Sequence, residues 1–101
     1  MEIKKTKSND HAIMSLGGRF DFNAHREFKE AYSSLITDAT VRSIEVNLSG
    51  VDYLDSSALG MLLMMRERVE SAGKQISLSN ANETVVKILE IANFKKLFKI
   101  T

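Results

Sequence analysis

The residues best suited to chemistry in this chain are Asp55, Ser56 and Ser57, which stand together after a strand-like segment and a turn. They are predicted to open a helix, because residues 58–65 are apolar apart from Gly60. The first turn of a helix has backbone N–H groups without intrahelical partners, and the positive end of the macrodipole lies there. A serine hydroxyl in this turn therefore occupies a place that accommodates a phosphate group.

Three interpretations of the Asp-Ser-Ser segment are open. Aspartate and serine are preferred N-cap residues, so the segment can serve only to begin the helix. A catalytic serine would need a base within hydrogen-bond reach, but His11 and His25 belong to other predicted elements and no Gly-x-Ser-x-Gly elbow occurs. We therefore expect no enzymatic activity. A phosphorylated serine would add about −1.5 to −2 charges beside an apolar surface and would oppose binding there.

The helix predicted from Ser56 to Ala72 has two contrasting arcs when its residues are placed at about 100° per position. The arc expected in the core contains Ala58, Leu59, Met61, Leu62, Met65, Val69 and Ala72. The opposite arc contains Ser56, Ser57, Gly60, Leu63, Met64 and Glu67. Its first two turns are apolar, whereas a solvent-facing surface is usually charged. Either a neighbouring element covers this arc, or it binds a partner through adaptable methionine and a glycine that permits close approach.

Length and composition limit the class of protein. The 101 residues suffice for one small domain, residues 1–101, and the hydrophobic content of 44% is ordinary for a globular fold. A net charge of +1 predicts binding to neither nucleic acid nor membrane. The absence of cysteine excludes disulfides and thiolate metal sites and fits a cytoplasmic location. No apolar run approaches the roughly 20 residues of a membrane span, so we expect a soluble chain. We also expect a monomer or weak dimer, without cofactor or metal.

Hydrophobic periodicity predicts a fold of the α/β class: a mixed, mostly parallel sheet of about four to five strands with helices packed on it. The first two strands should form a hairpin, with Gly17-Gly18 ending the second. Asp21 or Asn23 should cap the first helix. The predicted elements are strands Glu2–Lys7 and His11–Leu16, a helix at about 24–37, strand Ser43–Leu48, helix Ser56–Ala72, strand Gln75–Ser79, a helix from Asn82 with Val85, Val86, Leu89, Ile91 and Ala92 as its apolar stripe, and a tail Phe94–Ile100 that forms a short helix or a strand.

The segment from Val46 to Gly60 resembles the signature of the STAS domain (sulfate transporter and anti-sigma factor antagonist) family. Val46-Asn47-Leu48-Ser49-Gly50-Val51 is similar to that family's third strand and turn, and Asp55-Ser56-Ser57-Ala58-Leu59-Gly60 to its phosphorylation loop and helix start. The element order and length are those of stand-alone bacterial members, so the resemblance covers nearly the whole chain. Two segments depart from it: Asn47 replaces a frequent aspartate, and residues 17–21 follow the family's Gly-x-Leu/Phe-Asp segment only loosely.

The resemblance implies an anti-sigma factor antagonist that works by partner switching. The unphosphorylated form would bind a serine kinase with a histidine-kinase-like ATPase fold and free that kinase's other client. Phosphorylation of Ser56 would release the kinase, and a metal-dependent serine phosphatase would reset the switch. Asp55, Ser57, Gly60, Leu63 and Met64 are the expected partner-binding residues. The alternative is a non-sigma output, such as biofilm formation or secretion, through a multidomain response regulator.

Overall fold

Strands and helices alternate along the chain in the computed structural model, which describes residues 1–101. The regular elements are β1 (Glu2–Ser8), β2 (His11–Phe20), α1 (His25–Ile36), β3 (Ser43–Leu54), α2 (Ser56–Ser71), β4 (Gln75–Ser79), α3 (Glu83–Ile91) and β5 (Lys99–Ile100). Short 3-10 turns at Phe22–Ala24 and Phe94–Lys96 precede α1 and β5. The predicted α/β class and element order are confirmed, and the tail forms both a helical turn and a strand.

The five strands lie in the sheet in their order along the chain, β1-β2-β3-β4-β5. β1 is antiparallel to β2, and every other neighbouring pair is parallel. The three crossovers that connect the parallel strands advance across the sheet in one direction. Because such crossovers are right-handed, α1, α2 and α3 lie on the same face of the sheet. The strand residues buried beneath these helices are Ala12, Met14, Leu16, Ile44, Val46, Leu48 and Leu78. The opposite face of the sheet has no helix and is mostly polar.

One hydrophobic core lies between this sheet and the helices. In α1 the rings of Phe28 and Tyr32 are 5.3 Å apart between centroids, and Phe28 lies 4.9 Å from Phe20 of β2. The helices α2 and α3 contribute the buried side chains of Ala58, Met61, Leu62, Met65, Val69, Val85 and Leu89. This packing fixes α2 over β3 and β4, so that the first turn of α2 is held at the carboxyl end of β3.

Strands β2 and β3 continue beyond the predicted ends, because a bulge replaces the turn expected at Ser49-Gly50. Asn47 pairs with Ser15, and the next pair is Gly50 with Gly17, so β3 accommodates one extra residue. A Cβ at Gly50 would lie 2.8 Å from the backbone oxygen of Leu16, so the bulge requires glycine at that position. The prediction that Gly17-Gly18 ends β2 is therefore wrong. The longer β3 reaches Leu54 and carries the chain directly to the start of α2.

Two side chains predicted for the core are exposed instead. Ala72 caps the carboxyl end of α2 after the last helical turn, before Gly73 turns the chain at φ 75°. Ile91 ends α3 and is 85% exposed, because the buried stripe of that helix follows Val85 and Leu89 and turns away from position 91. No helix in the structure is long and apolar enough to cross a bilayer.

The start of α1 also differs in detail from the prediction. Asp21 caps the preceding 3-10 turn by accepting a hydrogen bond from the backbone N–H of Asn23 at 3.0 Å. The helix itself then begins at His25 without a side-chain cap. The turn inserted before the helix places Phe22 at the surface next to the start of α2.

Candidate functional site

Asp55 is the N-cap of α2. Its Oδ1 atom accepts a hydrogen bond from the backbone N–H of Ala58 at 2.9 Å, and its own N–H donates to the carbonyl of Phe20 at 3.3 Å. Capping, one of the interpretations open from the sequence, is thus confirmed for Asp55. Because Asp55 is the cap, neither Ser56 nor Ser57 has that role, and their hydroxyls make no hydrogen bond within the chain.

The two serines differ in their surroundings although they are adjacent. Ser56 is exposed, and helical spacing places it in line with Gly60 and Leu63. Ser57 is partly buried and lines a surface depression of about 270 Å³. The other residues around this depression are Phe22, His25, Gly60, Met61 and Met64. Ser57 therefore faces the same depression as Met61.

The apolar arc of α2 is not covered by another element. Leu63 is 36% exposed and Met64 is 51% exposed, which excludes the interpretation that a neighbouring element covers this arc. Two aromatic side chains from other elements are also exposed near the start of α2: Phe22 at 69% and Tyr53, two residues before Asp55, at 40%. Together they give this end of the molecule an exposed apolar surface of the kind that partners bind. We call these four residues the apolar face.

Phe22 and Tyr53 join the apolar face although no sequence pattern predicted them there. Tyr53 supports the guanidinium of Arg19, whose central carbon is 4.7 Å from the ring centroid, and Arg19 Nε lies 3.2 Å from Asp21 Oδ2. The signal that could have suggested Phe22 is its position between Asp21 and Asn23, where a large apolar residue stands among turn-forming polar ones. The position of Phe22 beside α2, however, depends on tertiary packing.

No nucleophile–base pair involves the Asp-Ser-Ser segment. His25 lines the same depression as Ser57, but no hydrogen bond joins them, and the imidazole stacks on Phe22 with centroids 6.3 Å apart. No group of three or more His, Asp or Glu side chains is placed to hold a metal ion.

His11 belongs to a hydrogen-bonded cluster on the open face of the sheet. Its Nδ1 lies 2.6 Å from Ser43 Oγ and its Nε2 lies 3.0 Å from Glu45 Oε1. The buried Ser79 hydroxyl donates to Glu45 Oε2 at 2.6 Å. Hydrogen bonds from Ser79 and then from His11 hold the pKa of Glu45 below its ordinary value. The cluster joins β2, β3 and β4 through side chains.

A mixed five-stranded sheet with all helices on one face, and an Asp-capped helix with two unbonded serines at the carboxyl end of its longest strand, define the class of small α/β domains to which anti-sigma factor antagonists belong. Residues 3–100 match the family model described as "Mlab, STAS domain". The chain belongs to the STAS domain family.

Curated relatives extend over most of the chain. A "STAS-domain containing protein PA14_20770" of Pseudomonas aeruginosa is 48% identical over 88 residues, which cover 87% of this chain and 85% of the relative. The anti-sigma-B factor antagonist of Staphylococcus aureus is 25% identical over 100 residues, 99% of this chain and 92% of the relative.

Solved structures establish the fold independently of sequence identity. The anti-sigma factor antagonist SpoIIAA in its unphosphorylated form is similar with a TM-score of 0.75 and 19% identity, over 99% of this chain and 87% of that chain. An anti-sigma factor antagonist from Mycobacterium paratuberculosis gives a TM-score of 0.86 at 15% identity, over 98% of this chain and 83% of that chain.

Proposed function

We propose that this chain is a partner-switching regulator controlled by phosphorylation of Ser56. In the unphosphorylated form it binds an anti-sigma factor that is also a serine kinase with a histidine-kinase-like ATPase fold. Binding frees the other client of that kinase. Phosphorylation of Ser56 releases the kinase, and a metal-dependent serine phosphatase restores the binding form. The chain itself catalyses no reaction.

The observation that carries this proposal is the contrast around Ser56. Its hydroxyl is exposed and unbonded, while Leu63 and Met64 expose apolar surface on the same helix. Apolar contact of these side chains with a partner would contribute roughly 25 cal/mol per Å² of surface removed from water. A phosphate at Ser56 would have to be desolvated in the same interface, and it would repel any partner carboxylate.

The same position allows phosphorylation without loss of the fold. A dianion in the first turn of α2 interacts favourably with the helix dipole and with the free backbone N–H groups. Asp55 already caps the helix through its hydrogen bond to the backbone N–H of Ala58, so capping does not depend on the Ser56 hydroxyl. Phosphorylation is therefore expected to alter binding and not folding.

Gly60 supports a binding role for this turn of α2. A Cβ built at Gly60 would meet no atom within 4 Å, so nothing in the chain requires glycine there. Glycine inside a helix costs about 1 kcal/mol relative to alanine. Close approach by a partner backbone accounts for glycine at this position, and Asp55, Ser57, Leu63 and Met64 would surround the contact.

The test is intact-mass measurement after incubation with ATP and the cognate kinase, followed by site mapping with tandem mass spectrometry. Ser56→Ala should bind the kinase and accept no phosphate, and Ser57→Ala is the matched control that should still accept it. Ser56→Asp should bind more weakly. Phosphate found only on Ser57, or undiminished incorporation in Ser56→Ala, would overturn the assignment.

A second candidate function differs only in the output. The relative with 48% identity is named for its STAS domain alone, whereas the relatives named as anti-sigma-B factor antagonists are 25% identical. This difference between the relatives favours a non-sigma output as the second candidate, such as biofilm formation or secretion through a multidomain response regulator. An epistasis experiment separates the two: the phenotype of Ser56→Ala should disappear on deletion of a sigma factor in the first case and persist in the second.

A further inference from the structure

A groove runs between α1 and α2 from the amino ends of both helices towards their carboxyl ends. The depression beside Ser57 continues into a narrower notch of about 110 Å³, and the two share His25, Met61 and Met64. The notch is completed by Phe28, Lys29, Tyr32 and Arg68. From Ser57 to Arg68 the helix rises about 16 Å, or three turns. A groove of this length between two packed helices suits the side chains of a third helix.

Tyr32 supplies a polar group at the bottom of the notch that the fold does not use. The residue is only 2% exposed, and its hydroxyl makes no hydrogen bond within the chain. The hydroxyl oxygen keeps some contact with solvent, so it reaches the surface of the notch that Tyr32 lines. Buried tyrosine hydroxyls usually have a protein partner. Burial raises the pKa of Tyr32, which keeps the phenol protonated as a donor at neutral pH.

The side chains that line the two depressions include cationic ones and no carboxylate, and the nearest glutamates, Glu67 and Glu70, line a separate depression on the far side of Arg68 and Met64. Lys29 projects from α1 and Arg68 from α2, and His25 stands where the two depressions join. Neither Lys29 nor Arg68 forms an ion pair within the chain. The floor beneath them is apolar, formed by Phe28 and Met61. A ligand that matches this lining combines an apolar group of about one side chain, placed in the notch, with negative charge beside Lys29 and Arg68.

We infer that this groove docks an acidic amphipathic helix of a partner protein. One apolar side chain of that helix fills the notch between Phe28 and Met61, and carboxylates one turn away lie against Lys29 and Arg68. The Tyr32 hydroxyl donates a hydrogen bond to an acceptor on the docked helix. This inference rests on the proposed function in one respect: the docked helix belongs to the protein that also covers the start of α2. It identifies the chemistry of that partner beyond the region of Ser56.

The test uses a panel of stapled helical peptides with Leu, Phe or Met as the anchor and Glu one turn to either side. A second panel has Lys in place of each Glu. The peptides are titrated against the full ¹⁵N-labelled chain. The acidic panel should perturb the amides of His25, Lys29, Met61 and Met64, and its best member should bind at least tenfold more tightly than its Lys counterpart. Absence of perturbation in the groove by every acidic peptide overturns the inference.

Charge reversal gives the matched controls. The Lys29→Glu/Arg68→Glu variant should prefer the basic panel. The Lys87→Glu/Lys96→Glu variant changes the net charge equally at exposed positions away from the groove, and it should retain the acidic preference. If both variants shift alike, only net charge is being sensed and the groove carries no specificity. Tyr32→Phe should weaken the acidic peptide about three- to tenfold with an unchanged melting temperature, and equal binding would remove the hydroxyl from the proposal.

Failure of this inference is distinguishable from failure of the proposed function. The peptide titration contains neither kinase nor ATP, so its result does not depend on phosphorylation of Ser56. Normal phosphorylation of Ser56 with no groove binding would overturn the docking inference alone. Peptide binding in the groove without any phosphorylation of Ser56 by the kinase would overturn the phosphorylation switch and support the groove as a docking site for an acidic helix. Saturation of the notch by acetate or phosphate alone, with loss of the preference for peptides, would identify a small-anion site and overturn the helix assignment.

Discussion

The open face of the sheet and the apolar face at the start of α2 differ in how far their side chains find partners within the chain. On the sheet, His11, Glu45 and Ser79 bond to one another across neighbouring strands. At the start of α2, Ser56 has no partner and Met64 exposes half of its surface. The polar groups of the sheet cluster have hydrogen-bond partners within the chain. The apolar face has an unbonded hydroxyl beside it and exposed apolar side chains. This difference supports the proposal that the sheet surface serves stability and the apolar face serves binding.

The largest effect on binding is expected from Leu63→Asp combined with Met64→Lys. Both side chains are partly exposed, so the free energy of unfolding should fall by no more than about 1–2 kcal/mol. Affinity for the kinase should fall at least 100-fold, because a charge at the centre of an apolar contact must be desolvated. Calorimetric titration and thermal melting measure the two quantities.

Ile91→Asp is the matched control for that double variant. Ile91 is an exposed apolar side chain on α3, outside the apolar face, and its replacement should leave affinity unchanged. A large loss of melting temperature in the Leu63/Met64 variant without a binding defect would show that the arc is buried in solution.

The largest effect on stability is expected from Glu45→Ala. The substitution leaves the buried Ser79 hydroxyl and His11 without their acceptor, at a cost of about 1–3 kcal/mol. Urea unfolding should show this loss, and kinase affinity should stay the same. Gln75→Ala, an exposed neighbour on β4, is the control and should change stability by less than about 0.5 kcal/mol. A binding defect in Glu45→Ala at unchanged stability would reverse the roles assigned to the two surfaces.

Gly60→Ala should separate stability from binding within α2 itself. The free energy of unfolding should increase by about 0.5–1 kcal/mol, since alanine is the better helix former and the added methyl group meets no atom. Affinity for the kinase should fall, because the methyl group obstructs close approach of the partner. Increased stability with unchanged affinity would show that Gly60 has no part in the contact.

The smallest effect is a pH dependence that originates in the His11–Glu45–Ser79 cluster. The folded-state pKa of Glu45 lies below its ordinary value of 4.5, so the carboxylate contributes stability that is present above pH 4.5. That contribution is lost as the pH falls from 4.5 through the folded-state pKa, where the folded protein also takes up the proton. Urea titrations from pH 7 to pH 3 should show a smaller acid-dependent loss for Glu45→Gln than for the wild type. Equal losses would remove Glu45 from the acid response.

The local features of the site follow from the sequence. Asp55 caps α2 because aspartate before an apolar helical run satisfies the first N–H groups, whatever the rest of the fold. The exposure of Leu63 and Met64 follows from a period of 3.6 residues once the opposite arc of α2 is in the core. The order of strands and helices follows from the same periodicities, and it restricts the sheet to few topologies.

Only the tertiary structure determines what stands next to these residues. The bulge at Gly50 depends on the backbone of Leu16, which is 34 positions earlier, so a local pattern showed only a turn. Phe22 joins the apolar face, and Tyr32 and Arg68 meet in one notch, because α1 and α2 pack side by side on the sheet. Such neighbours are separated widely along the chain, and periodicity describes only the face of each element on which a residue lies. The sequence by itself determined the serine in the first turn of α2 and its apolar surroundings on that helix, and packing decided the groove that extends from them.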